Sequence, residues 1–288
     1  MLQEGCMTNT SLNEVINISN RLPRGLVEMY QAVESCAISS EIDFLIVGAM
    51  ARDLVLYHGF GAEIERGTRD VDFAIQVESW QAFEDLKLAL VQVGFSIDNT
   101  VPYRLGYIDS EDMPWELDIL PFGELADANN DISWPPNGDF VMSMLGFSEA
   151  LATAWQVQIV ESPACIVPVA SPVAMVVLKM IAWTERDVQL RRKDALDIAY
   201  IIKNYEKIPK VFERLYKEDY MEQCDWDIDT ASSLLLGHEI AQMISVQTRN
   251  YLMENFVNNE TNKDILANDM GVNASYVWLL KLLSKLDT

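Results

Sequence analysis

The chain has 288 residues, half of them hydrophobic, and carries 21 Lys and Arg against 44 Asp and Glu for a net charge of −23. A chain of this length and apolar content buries one large core or two modest ones, which excludes a peptide-like or disordered polymer. The acidic excess excludes a histone-like or architectural nucleic-acid binder, whose affinity rests on an extended basic surface.

In chain order, the apolar spacing after Pro23 predicts a first helix from about Gly25 to Cys36. Asp43-Phe-Leu-Ile-Val reads as a buried strand ending at Gly48, and residues 49–57 as a helix broken by His58-Gly-Phe-Gly. A second strand is expected over Asp70-Val-Asp-Phe-Ala-Ile-Gln-Val, then a helix capped by Ser79 and closed before Gly94. Trp115-Glu-Leu-Asp-Ile-Leu-Pro is a third strand, Trp155-Gln-Val-Gln-Ile-Val a fourth, and residues 163–172, with three prolines, a loop. Helical patterns then dominate, over residues 173–185, 191–205, 210–216, 230–256 and 274–286. Strands alternating with helices indicate an α/β or α+β sheet domain over residues 1–170, followed by a helical domain over residues 171–288.

No window reaches membrane-span length; the most apolar run, residues 167–178, is interrupted by Pro168, Ser171 and Pro172. Residues 1–12 lack the basic start and apolar run of a signal peptide, so a cytoplasmic location is expected. Cys6, Cys36, Cys165 and Cys224 lie far apart with no Cys-x-x-Cys and read as buried free thiols.

Charge is distributed unevenly. No Lys or Arg lies between Arg104 and Lys179, a stretch with eleven acids, so any phosphate bound there needs a metal cation beside it. Residues 179–217 reverse the balance, with ten bases against six acids, and residues 218–229 hold six acids and no base. The ordinary meaning of such runs is solvated faces and loops.

Three features carry chemistry. Asp70 and Asp72, two apart on a strand, project from one face roughly 6–7 Å apart, close enough to bracket divalent ions, and repel unless a cation lies between them. Gly48, at a strand-to-helix turn, lets a phosphate approach the backbone. Asp118, between Leu117 and Ile119, opposes the burial of its neighbours and needs a partner or ligand. Three carboxylates with divalent ions suit phosphoryl-type transfer. There is no dinucleotide fingerprint and no P-loop; the Asp225-Trp-Asp-Ile-Asp run has Thr230 where a calcium loop needs glycine, and His58 and His238 lack a nucleophile motif.

These residues resemble the nucleotidyltransferase superfamily, and more closely its AbiEii/AbiGii-type toxin branch. The likeness rests on Ile46-Val-Gly-Ala-Met-Ala-Arg-Asp-Leu, Thr68-Arg-Asp-Val-Asp-Phe-Ala-Ile, Glu116-Leu-Asp-Ile-Leu-Pro-Phe-Gly and Leu178-Lys-Met-Ile-Ala-Trp with Arg191-Arg-Lys-Asp-Ala-Leu-Asp-Ile, over roughly residues 40–205. The resemblance implies an α+β fold, a nucleotidyltransferase-like mixed sheet flanked by helices and followed by a helical C-terminal domain. It implies nucleotide binding at Gly48 and Ala49, Mg²⁺ (two ions) on Asp70, Asp72 and Asp118, and a nucleotide-binding set of Lys179, Arg191, Lys193, Asp194 and Asp197, with Lys179 also catalytic. Asp194 and Asp197, on one helical face, could orient Lys179 or Arg191. The chain departs from the branch in having Ala49 after the glycine, a longer interval from Gly48 to Asp70, and Leu190 where an arginine usually stands.

The implied activity is Mg²⁺-dependent transfer of a nucleoside monophosphate from an NTP to a hydroxyl of tRNA or other RNA, in a toxin–antitoxin or phage-defence pair with a cognate antitoxin. Two alternatives compete: transfer to a small cationic molecule or protein hydroxyl, which the net charge makes electrostatically easier, and a non-catalytic nucleotide-binding module.

Overall fold

A computed structural model describes residues 15–286 apart from 66, 68 and 69. Ten strands occur among the described residues: β1 (Ile16–Asn17), β2 (Phe44–Val47), β3 (Asp70–Gln76), β4 (Ser96–Ile97), β5 (Arg104–Ile108), β6 (Pro114–Phe122), β7 (Asp131–Ser133), β8 (Val141–Ser143), β9 (Trp155–Val160) and β10 (Cys165–Val169). Eight form one mixed sheet in the order β1-β9-β10-β2-β3-β6-β5-β4, and β7 and β8 form a separate ribbon. At its centre β3 runs antiparallel to β2 and parallel to β6, and β6 is antiparallel to β5.

The helices are α1 (Arg24–Ser39), α2 (Gly48–Arg52), α3 (Trp80–Gln92), α4 (Phe147–Ala152), α5 (Pro172–Glu185), α6 (Val188–Asn204), α7 (Pro209–Lys217), α8 (Ile228–Met243), α9 (Val246–Leu252), α10 (Glu260–Met270) and α11 (Ser275–Leu283). Among the described residues all strands lie before residue 170, and helices alone follow. On α1, Leu26, Met29, Tyr30, Val33 and Ala37 recur at helical spacing and are buried. Tyr30 meets Phe73 of β3 with ring centroids 5.8 Å apart, and Phe73 meets Phe44 of β2 at 5.6 Å. Thus Val71, Phe73 and Ile75 turn into the core, and by the two-residue alternation of a strand Asp70 and Asp72 emerge on the opposite face.

Caps fix where the helices begin. Ser79 accepts from the Ala82 N–H as expected, Ser171 caps α5 through the Ala174 N–H, and Asp187 caps α6 by accepting from Gln189 and Leu190.

Three expectations differ in detail. The proline-bearing stretch 163–172 contains β10, because Cys165, Val167 and Val169 alternate into the core; that burial outweighs the ladder hydrogen bond Pro168 cannot donate. The continuous helix over residues 230–256 is two, since Ile244 is extended and Ser245 caps α9 through the Thr248 N–H. The helix after Gly48 passes into a π-helical turn over Asp53–Gly59.

Cys36, Cys165 and Cys224 are buried free thiols, whereas Cys6 lies outside the described residues. Among the described residues no helix is long and apolar enough to cross a membrane.

Candidate active site

The register of three strands assembles the site. Asp72 of β3 stands opposite Asp118 of β6, Asp70 opposite Glu116, and Arg104 of β5 opposite Asp118. Facing residues on adjacent strands point to the same side, so Asp70, Asp72, Asp118, Glu116 and Arg104 share one sheet face.

Val47 pairs with Asp72 on the other flank of β3, which brings Gly48 against the Asp72 carboxylate. Gly48 has φ +71°, and a Cβ there would lie 2.0 Å from Asp72 Oδ2. Glycine is therefore required twice over, for left-handed backbone and for clearance. Ala49 follows in the first turn of α2.

Burial, then the Asp118 carboxylate, push the Asp72 carboxyl up to about 6, against the lowering influence of Lys179 and Arg186; Asp70 adds a smaller upward push. Asp118 is 8% exposed between the fully buried Leu117 and Ile119. Its partner is Arg104, whose Nε donates to Oδ1 at 2.7 Å and Nη2 to Oδ2 at 2.8 Å, with Nη1 2.9 Å from Glu116 Oε2. Tyr30, fully buried and in the field of Asp53 and then Asp72, has a hydroxyl without a hydrogen-bond partner among the described residues.

A second layer lies on the helices. Lys179 of α5 donates to Asp194 Oδ1 at 2.8 Å and pairs with Asp197 Oδ2 at 2.9 Å, both on α6 and both essentially inaccessible. Burial disfavours the ammonium, but Asp197 and then Asp194 outweigh it and hold its pKa above the ordinary lysine value. Arg186 shares Asp194 at 2.9 Å. Asp197 also receives Arg52 of α2, which turns back to Asp53 at 2.6 Å and lies over the Tyr200 ring at 4.8 Å. This ion network joins the turn after Gly48 to α5 and α6.

Of the residues expected at a nucleotide site, the structure brings together Gly48, Asp70, Asp72 and Asp118 on the sheet and links Lys179, Asp194 and Asp197 beside them. Arg191 is engaged elsewhere, with Nε 3.1 Å from Asp269 Oδ2 and its guanidinium 5.1 Å from the Trp183 ring centroid. Lys193 is exposed on α6. Arg104 and Arg186 were missed as site residues.

The donor set suits a hard divalent cation: carboxylates on one sheet face, with Gly48 leaving the Asp72 oxygen clear. Among the described residues no three such side chains are yet gathered into a formed cluster, and Asp118 is directed to Arg104.

Three solved structures share distant likeness. The lincosamide antibiotic adenylyltransferase LnuA, bound to lincomycin, is 15% identical, with 62% of this chain and 96% of that chain covered at TM-score 0.37. The antibiotic-resistance factor ANT(2'')-Ia is 13% identical, with 69% and 95% covered at TM-score 0.34. The Thermotoga maritima CCA-adding enzyme complexed with tRNA is 11% identical, with 91% and 80% covered at TM-score 0.26. No curated protein matches. The family model for the nucleotidyl transferase AbiEii toxin of type IV toxin–antitoxin systems matches residues 36–267, a span containing Gly48, Asp70, Asp72, Arg104, Asp118, Lys179, Arg186, Asp194 and Asp197. The chain therefore belongs to the AbiEii nucleotidyl transferase toxin family, and is an enzyme of nucleotidyl transfer rather than a non-catalytic nucleotide-binding module.

Proposed function

We propose that the chain moves a nucleoside monophosphate from an NTP to a hydroxyl of tRNA or another RNA, as the toxin of a pair with a cognate antitoxin. The hydroxyl oxygen attacks the α-phosphorus, the bond to the bridging oxygen breaks, pyrophosphate leaves, and the hydroxyl proton passes to a carboxylate of the sheet face. The observation carrying this reading is the in-register row of Asp70, Asp72 and Asp118 beside Gly48.

Asp70, Asp72 and Asp118 would hold Mg²⁺. The ion would supply charge neutralisation for the polyphosphate. Gly48 and Ala49 offer backbone at the turn without a side chain in the way. Lys179, fixed by Asp194 and Asp197, has two N–H donors committed and a third for a phosphate oxygen. In this assignment Arg186, which shares Asp194, takes the role expected of Arg191, while Asp194 and Asp197 orient rather than touch the nucleotide. Residues 1–170 form the catalytic unit, and residues 171–288 the helical one that lends it Lys179.

Purified protein incubated with labelled NTPs, Mg²⁺ and total RNA is expected to label RNA. Asp70→Asn or Asp72→Asn is expected to abolish labelling, and equal labelling by wild type and these variants would sink the assignment.

One observation favours a second reading. Four of the ten bases in residues 179–217, Lys179, Arg186, Arg191 and Arg214, pair with buried or half-buried acids, and Lys217 pairs with Glu213 at the surface. This pairing reduces the positive charge offered to an RNA backbone, which favours a small cationic molecule or a protein hydroxyl as acceptor. Label in the small-molecule or protein fraction rather than in RNA would decide for it.

A further inference from the structure

Arg104 has an unusual neighbour for a basic side chain. In one row across three strands stand Arg104, Asp118 and Asp72, an arginine and two carboxylates on one sheet face. Its guanidinium takes both oxygens of Asp118, at 2.7 and 2.8 Å, and a third nitrogen reaches Glu116 at 2.9 Å. Such fork-to-fork pairing fills the carboxylate geometry as no ammonium can. Asp118 is itself only 8% exposed, so its charge needs a compensating partner. The Arg104 side chain is 29% exposed, leaving it a path to swing into solvent while Asp118 stays in place.

We propose that Arg104 is the resident cation of this carboxylate face: it compensates Asp118 in the metal-free protein, and a divalent ion enters by competing for that carboxylate, so Arg104 sets the ion affinity of the site. The proposal rests on the reading of Asp70, Asp72 and Asp118 as the metal-binding face. Arg104 is in this sense a positioning residue acting through Asp118. Two consequences follow from charge alone. With the guanidinium in place, an incoming ion meets a positive charge one strand away and a ligand whose oxygens are already engaged. Without it, Asp118 loses its arginine partner, the face carries one positive charge fewer, and the ion binds more tightly, on the order of tenfold or more for a partly buried pair. A salt bridge whose loss chiefly loosens the fold around Asp118 weakens ion binding instead.

The test uses the full chain, stripped of metal and without nucleotide, titrated with Mn²⁺ while free Mn²⁺ is followed by electron paramagnetic resonance. Wild type, Arg104→Met, Arg104→Gln, Arg104→Lys and Asp72→Asn are compared, with far-ultraviolet circular dichroism confirming that each is folded. The expected result is measurable binding by wild type, loss in Asp72→Asn, and binding at least about tenfold tighter in Arg104→Met and Arg104→Gln. Arg104→Lys, which keeps the charge but cannot occupy both oxygens, falls between; as the most conservative change, it carries the test if the neutral variants do not fold. Equal or weaker Mn²⁺ affinity in the folded Arg104 variants, with Asp72→Asn still abolishing binding, overturns the proposal and leaves the metal-binding face standing. Absence of Mn²⁺ binding in every protein, wild type included, overturns both.

Discussion

At the scale of single residues, the site is a matter of clearance and charge. Gly48 exists to let Asp72 approach the turn, so Gly48→Ala puts a methyl group 2.0 Å from a carboxylate oxygen at φ +71°. It should destabilise the fold by about 2 kcal/mol or more, read as a lowered urea midpoint, and displace Asp72 enough to abolish nucleotidyl transfer. Asp72 supplies a pH signature. Its carboxyl is pushed up to about 6 from an ordinary 3.8, so between these values the folded state holds a proton that the unfolded state has released. Stability from this group is therefore greatest below about pH 4 and falls as pH rises to 6. In metal-free protein at pH 7, Asp72→Asn should be more stable than wild type by about 1–2 kcal/mol, with the gap closing near pH 4. A constant gap across that range would contradict the assignment. Asp70, Asp72 and Gly48 were legible in the sequence because two-residue alternation and a strand-to-helix glycine are local signals. Arg104 was not, because its pairing with Asp118 arises only when β5 folds back on β6, and nothing local in Arg104-Leu-Gly-Tyr-Ile states that register.

Elements are held by contacts that single side chains decide. Asp197 of α6 ties Arg52 of α2 and Lys179 of α5, all three buried or nearly so. Asp197→Ala leaves both cations without that partner in a low-dielectric setting and should cost about 3–5 kcal/mol, measured by chemical denaturation. Its loss should be felt equally in the turn after Gly48 and in α5, whereas a purely local role would spare one of them; hydrogen exchange at both places distinguishes the outcomes. Between α8 and α11, Gly237 stands where a Cβ would lie 2.2 Å from the Leu282 carbonyl oxygen. Since backbone cannot swing aside as a side-chain tip can, Gly237→Ala should separate the two helices and lower the melting temperature by several degrees. The helices themselves were largely readable from apolar period and caps. The break at Ser245 was not, because Ile244 continues the apolar pattern and only the side-chain bond from Ser245 to the Thr248 N–H shows that the chain has restarted. Likewise β10 was hidden by its prolines, whose usual meaning is overridden by burial between β9 and β2.

For the molecule as a whole, the net charge of −23 matters less than how the positive charges are spent. Counting bases along residues 179–217 suggests a cationic patch, but folding places many of them against acids, some of them distant in sequence: Arg191 against Asp269, Arg214 against Glu239. Sequence proximity gives charge density, while pairing depends on helix packing, and so the patch could not be judged before the fold was known. RNA bound by the remaining exposed bases, Arg192 and Lys193 among them, should show a shallow salt dependence, with log affinity falling against log salt less steeply than about −3. A steeper slope, measured by filter binding, would indicate a basic surface that the internal pairing does not suggest.

The Arg52–Asp197–Lys179 bridge has a further consequence for evolution and for engineering. It crosses from the helix that begins at Gly48 to the helices beyond residue 170 through the shared Asp197 carboxylate. Grafting a foreign helical half onto this sheet would take the Asp197 carboxylate from Arg52 and leave it with Asp53 beside it. Recombination between relatives is thus constrained at this chemical position: chimaeras that inherit Asp197 together with Arg52 should be more stable than those that separate the two, read as a higher urea midpoint.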